Sequence, residues 1–118
     1  MTLPTIIQHR VNRIRELRKL PQAFGAETDL RTRGSSIILA HDPFERGDRF
    51  KNYAEQWQSQ NQKGTLIVNP KEDGLELEII KILKKYNITN YFFLDLTVPT
   101  IIKLAVKNRF SKVAVRFY

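Results

Sequence analysis

The stretch TLIVNPKEDGLELEIIKILKKYNITNYFFLDL, residues 65–96, decides the fold class. Thr65–Asn69 and Tyr91–Leu96 read as short strands, and within them Thr65–Val68 and Tyr91–Leu94 are nearly all apolar, as strands covered on both faces should be. Between them Leu75, Ile79, Leu83 and Tyr86 fall at helical spacing and form one apolar stripe. A strand, an amphipathic helix and a second strand make one β-α-β unit, which demands a parallel pair. Working outward, the pattern repeats. Thr5–Ile7, running into Gln8 and His9, reads as a first strand. Asn12–Leu20 reads as a helix, with Asn12 as N-cap, Ile14 and Leu17 on one face, and Pro21 just past its end. Phe24–Leu30 reads as a strand, and Gly34-Ser35-Ser36 turns into a short strand at Ile37–Ala40. Phe50–Gln58 reads as a helix in which Trp57 packs on the sheet, and Lys63-Gly64 precedes the next strand. Beyond residue 96, Pro99 opens a helix at Thr100–Asn108 and Lys112–Phe117 is a last strand. The expected order is β-α-β-β-α-β-α-β-α-β: α/β, with about five parallel strands, alternating helices and a hairpin strand after strand two.

The 118 residues suit a single domain, with no repeat or linker. Apolar residues at 42% and charged residues at 27% exclude a disordered chain. No apolar run is long enough to span a bilayer. The start lacks the basic-then-apolar order of a secretory signal, so a cytoplasmic location is expected. The absence of cysteine excludes disulfides, thiol catalysis and Cys-based zinc sites. The net charge of +8 attracts phosphate, and it also allows a solvated basic surface or a basic binding module for nucleic acid or anionic membrane. No arginine-rich tract, basic-aromatic interleaving or zinc-finger spacing gives nucleic acid specific support.

Chemistry-bearing residues gather at the C-terminal ends of the expected strands, where parallel α/β folds place ligands. These are His9-Arg10, Glu27 with Asp29, His41-Asp42, Asn69 with Lys71, Asp95, and Arg116. Singly, each has a plain reading. His9 can be a hydrogen-bonded core histidine, His41-Asp42-Pro43 a turn, Asp95 a helix cap or solvated strand end, and Arg116 surface charge. Glu27 and Asp29, at i and i+2, leave a strand on the same face. Two carboxylates there repel unless a cation sits between them, and Mg²⁺ or Ca²⁺ is the natural one. The alternative is a bulged strand with both acids in solvent.

His9-Arg10, then Gly25-Ala26-Glu27-Thr28-Asp29-Leu30-Arg31, then His41-Asp42-Pro43 resembles, in order, the signature of the glycerophosphodiester phosphodiesterases. These belong with the phosphatidylinositol-specific phospholipase C-like phosphodiesterases. The motifs cover residues 5–71, and strand-helix order carries the likeness further. The resemblance implies a phosphoric diester hydrolase acting on glycerophosphodiester or phospholipid-type head groups. It implies His9 and His41 as general acid and base, and Arg10 and Lys71 as phosphate-binding cations. It implies Glu27 and Asp29 as metal ligands, with the uncharged Asn69 where the family has a third acid. Where the family has a glycine after His-Arg, this chain has Val11. The family fold is a (β/α)₈ barrel of about 200–250 residues. The expectation for residues 1–118 is therefore the N-terminal half of such a barrel. Its unpaired edges suggest a truncated gene product, a homodimer that completes the barrel, or a catalytically silent half-barrel or assembly module.

Overall fold

The structure, a computed structural model, describes residues 6–94 and the backbone of 113–114. Its strands are β1 (Ile7–Gln8), β2 (Gly25–Arg33), β3 (Ser36–Leu39), β4 (Leu66–Pro70), β5 (Tyr91–Leu94) and β6 (Val113–Ala114). Its helices are α1 (Ile14–Leu17), α2 (Phe50–Ser59) and α3 (Glu76–Lys85). The strands form one sheet in the order β1-β2-β4-β5-β6, with every neighbouring pair parallel, and β3 lies antiparallel against the far half of β2. The fold is mixed α/β with a mostly parallel sheet, and the sequence order of elements agrees with the expectation over the described residues. The expected helix Thr100–Asn108, together with Asp95 and Arg116, lies outside them.

The register fixes which residues share a face. Ala26 stands beside Leu66, and Leu66 beside Tyr91; Thr28 stands beside Val68, and Val68 beside Phe93. All six are buried. They meet the apolar stripes of the helices: Leu17 from α1; Phe50, Tyr53, Ala54 and Trp57 from α2; Ile79 and Leu83 from α3. On α2 the aromatic residues recur at i, i+3 and i+7, so successive rings stack with centroids 6.3 Å apart. Thr28, the one polar residue in this layer of β2, is satisfied by donating its hydroxyl to the carbonyl of Ile67 at 3.0 Å.

The opposite face of the sheet is less covered. Glu27, Ile67 and Phe92 lie side by side on it, and Phe92 is 39% exposed. The expectation that Tyr91–Leu94 is shielded on both faces therefore fails on one. Phe92 and Ile67 are apolar, but the described helices pack on the other side.

Two further boundaries differ from the sequence reading. β2 runs on to Arg33 because β3 pairs with its extension, Leu30 with Leu39 through Arg33 with Ser36. α1 is one turn, not the expected nine-residue helix, and its N-cap is Arg13 rather than Asn12. Asn12 is drawn away by Asp29 of β2, and Asp48 accepts a hydrogen bond from the Ile14 N–H at 2.7 Å in its place.

Both long helices stop in the same way. The Asn61 and Asn87 backbones take left-handed φ of 54° and 57°. After α2, Gln62 N–H donates to the Trp57 carbonyl and Asn61 N–H to that of Gln58; after α3, Ile88 donates to Leu83 and Asn87 to Lys84. These paired bonds are Schellman closures, with asparagine tolerating the left-handed position. Each closure aims the chain back toward the start of the next parallel strand.

Candidate active site

β2 is the spine of the candidate site. Glu27, Asp29 and Arg31 leave it on one face, two residues apart. Each holds chemistry delivered by a different element.

Glu27 meets His9. In register, Gln8 stands beside Ala26, so the next residue of the β1 turn falls beside Glu27. His9 Nδ1 lies 3.1 Å from Glu27 Oε1, with the His9 side chain 64% exposed and that of Glu27 only 16%. The carboxylate meets the imidazole at Nδ1, and Nε2 makes no hydrogen bond among the described residues. The turn is anchored by Val11, whose N–H donates to the Glu27 carbonyl at 2.9 Å. Left-handed backbone falls at Arg10, with φ of 54°, and not at Val11, whose side chain is buried in the core. A β-branched residue therefore fits where the resembled family has glycine. Arg10 is exposed.

Asp29 is the most enclosed carboxylate of the cluster, 1% exposed. Asn12 Nδ2 donates to its Oδ2 at 3.0 Å, and its own N–H donates back to Asn12 Oδ1 at 2.9 Å. Asn69 stands beside it in register, with Nδ2 at 3.5 Å from Oδ1, and Lys71 Nζ also lies 3.5 Å from Oδ1. The Lys71 N–H donates to the Leu30 carbonyl at 2.9 Å, which continues the β2–β4 ladder and places Lys71 over the site.

Arg31 holds His41. Its Nη2 and Nε both donate to the His41 carbonyl, at 2.8 and 3.3 Å. Ala40 N–H donates to the Asp29 carbonyl, so β3 returns His41 to the level of Asp29. His41 Nδ1 lies 3.3 Å from Asp42 Oδ1, so here too a carboxylate stands at Nδ1.

The structure thus brings His9, Glu27, Asp29, Asn69, Lys71 and His41 to one end of the sheet around β2. Two members escaped the sequence reading. Asn12 has a local use as the cap of its own helix, and Arg31 carries no expected role although the period-two series Glu27, Asp29 continues through it. A cavity of about 280 Å³ lined in part by Trp57, Gln62, Gly64, Tyr86 and Asn90 lies at the opposite end of the strands, away from this cluster.

A hard cation here would take oxygen donors from Glu27, Asp29 and the free carbonyl of Asn69, a set whose chemistry suits Mg²⁺ or Ca²⁺. Among the described residues no three His, Cys, Asp or Glu side chains form a metal-holding group, and Lys71 already balances part of the Asp29 charge. The described helices include none long and apolar enough to cross a membrane. Comparison with protein-family models, curated proteins and solved structures found no match.

Proposed function

We propose that this chain is a phosphoric diester hydrolase that uses two histidines as acid and base on glycerophosphodiester or phospholipid-type substrates. One observation carries the reading: a single strand face orders Glu27, Asp29 and Arg31, and through them His9, Lys71 and His41. An assembly of this kind at the C-terminal end of parallel strands is hard to derive from packing, because it collects buried polar groups where apolar ones would stabilise better. In the same reading the sheet is the N-terminal half of a (β/α)₈ barrel, and the protein works in the cytoplasm.

The roles follow from the contacts. Each imidazole has its Nδ1 next to a carboxylate, which sets the tautomer and presents Nε2 to a substrate. One histidine accepts the proton of the attacking hydroxyl, and the other gives a proton to the leaving alkoxide. Arg10 and Lys71 are cations for the non-bridging phosphate oxygens. Lys71 is steered by Asp29, and Asp29 is fixed by Asn12. Mg²⁺ or Ca²⁺ on Glu27 and Asp29, with Asn69, would supply additional positive charge to those oxygens.

The test is hydrolysis of a panel of glycerophosphodiesters by the purified chain, with and without EDTA. Turnover that falls on chelation and returns with Mg²⁺ or Ca²⁺ supports the reading, and a folded chain with no turnover on any diester overturns it. A second reading, a silent half-barrel that serves as an assembly module, is favoured by Ile6 and Ile7. Both are more than 40% exposed at the β1 edge of the sheet order. A second copy that continues the sheet there would give a dimer by light scattering.

A further inference from the structure

We propose that the tip of the β2–β3 hairpin is a second anion site, built by Arg33, Arg46 and Arg49. It takes a phosphate group of the substrate other than the one being cleaved. The identity of that substrate rests on the phosphodiesterase reading; the site itself does not.

The three arginines line one surface cavity of about 380 Å³ together with Ser36, Ile38 and Gly47, and no carboxylate lines it. Among the described residues none of the three guanidinium groups makes a hydrogen bond or ion pair. The acids nearest in sequence are occupied elsewhere. Asp42 lies against His41, Glu45 Oε1 accepts from the Asp42 N–H at 3.0 Å, and Asp48 Oδ2 accepts from the Ile14 N–H at 2.7 Å. Glu78 stands with Arg49 and Lys51 in an adjoining cavity, and no ion pair joins them. Three like charges are therefore gathered with no acid paired to any of them among the described residues.

The backbone holds them there. Leu39 N–H donates to the Asp48 carbonyl at 2.9 Å, and Ile38 bridges antiparallel to Arg49. The loop carrying Arg46 and Arg49 thus lies as an extra rung on the free edge of β3. Gly47 permits this approach, because a Cβ at that position would collide with the Leu39 carbonyl. Ser36 pairs with Arg33 across the hairpin, so its hydroxyl shares the face of the Arg33 side chain. Planar guanidinium forks and a hydroxyl are the donors that phosphate oxygens take best. The start of α2 at Phe50, with no acid in its first turn, adds potential of the same sign.

Position gives the substrate class. Arg33 lies four residues along β2 from Asp29 and on the same face, roughly 13 Å away at strand rise. One phosphate cannot touch both places. A phosphodiester bearing a second phosphate about that far from the scissile one can.

The experiment has two arms. In the first, ¹⁵N-labelled protein is titrated with inorganic phosphate at low ionic strength. Saturable shifts are expected at the Ser36, Gly47 and Arg49 amides, and Arg33→Gln/Arg49→Gln should raise the dissociation constant by about tenfold. In the second, diesters with and without a second phosphate are compared. The former should have the lower KM, and the double variant should erase that advantage with kcat unchanged. Shifts confined to the Arg10 and Lys71 region, or hairpin shifts unaltered by the double variant, overturn the site. Hairpin binding without turnover upholds the site and refutes the hydrolase. Turnover without hairpin shifts does the reverse.

Discussion

Replacing Asn12 by alanine removes two hydrogen bonds in one step, and both end on Asp29. The first runs from Asn12 Nδ2 to a carboxylate oxygen at 3.0 Å. A bond to a charged acceptor contributes about 1.5–3 kcal/mol. The second runs from the Asp29 N–H to Asn12 Oδ1 at 2.9 Å. Its loss leaves a donor unpaired in a residue 1% exposed, at about 1–3 kcal/mol. Asn12 is only half-buried, so water can partly replace it and the lower end of each range applies. The expected loss is about 2.5 kcal/mol in all. For a domain of this size that lowers the melting midpoint by about 10 °C. Urea unfolding and thermal melts followed by circular dichroism measure it. Asn12→Asp is the companion variant. It keeps an acceptor for the Asp29 N–H but sets a second carboxylate beside the first, so it should be destabilised at neutral pH and recover as the pH falls. A loss below about 1 kcal/mol for Asn12→Ala would refute the view that Asn12 holds Asp29 in place.

Further outcomes follow from single residues. Burial, helped by the charge of Glu16, pushes the Tyr53 phenol well above its ordinary value, and its hydroxyl has no partner among the described residues. With the folded value raised, stability present below about pH 10 is lost as pH rises beyond it. Tyr53→Phe should be stabilised by about 1 kcal/mol and should lose that alkaline limb in a pH series of melts. Gly25→Ala would drive a Cβ into the Thr65 backbone and separate β2 from β4, so it should cost about 3 kcal/mol or more in urea unfolding. Chelation should lower diester turnover without unfolding the chain, since Lys71 still faces Asp29; a collapse of the melt in EDTA would contradict this.

The sheet was legible in the sequence because its signals are local. The Leu75, Ile79, Leu83 stripe and the flanking apolar runs specify a β-α-β unit without knowledge of any neighbour. The candidate cluster was half legible for the same reason. Period two put Glu27 and Asp29 on one face, and the strand ends collected His9, His41, Asn69 and Lys71. What escaped was long-range competition. Asn12 has a good local use as a helix cap, and its preference for Asp29 appears only once β2 lies beside it. Arg31 serves the His41 carbonyl because β3 folds back, and a turn at Gly34 does not reveal how far the hairpin pairs. The exposed Phe92 shows the limit of composition: an apolar run reports strand propensity but not which faces are covered. The endings at Asn61 and Asn87 were written in the sequence, as asparagines after helical stripes, but Lys63-Gly64 was the louder signal.

The central claim, that His9 and His41 act as acid and base on a phosphodiester, is tested most directly by leaving-group dependence. Turnover of an alkyl and an aryl phosphodiester is compared for wild type, His9→Ala and His41→Ala. An alkoxide needs a proton to leave, and an aryl oxide does not. Both variants should lose about 10²-fold or more on the alkyl diester, and the variant lacking the general acid should keep most of its aryl turnover. Alkyl-diester turnover equal to wild type in either variant would contradict the account.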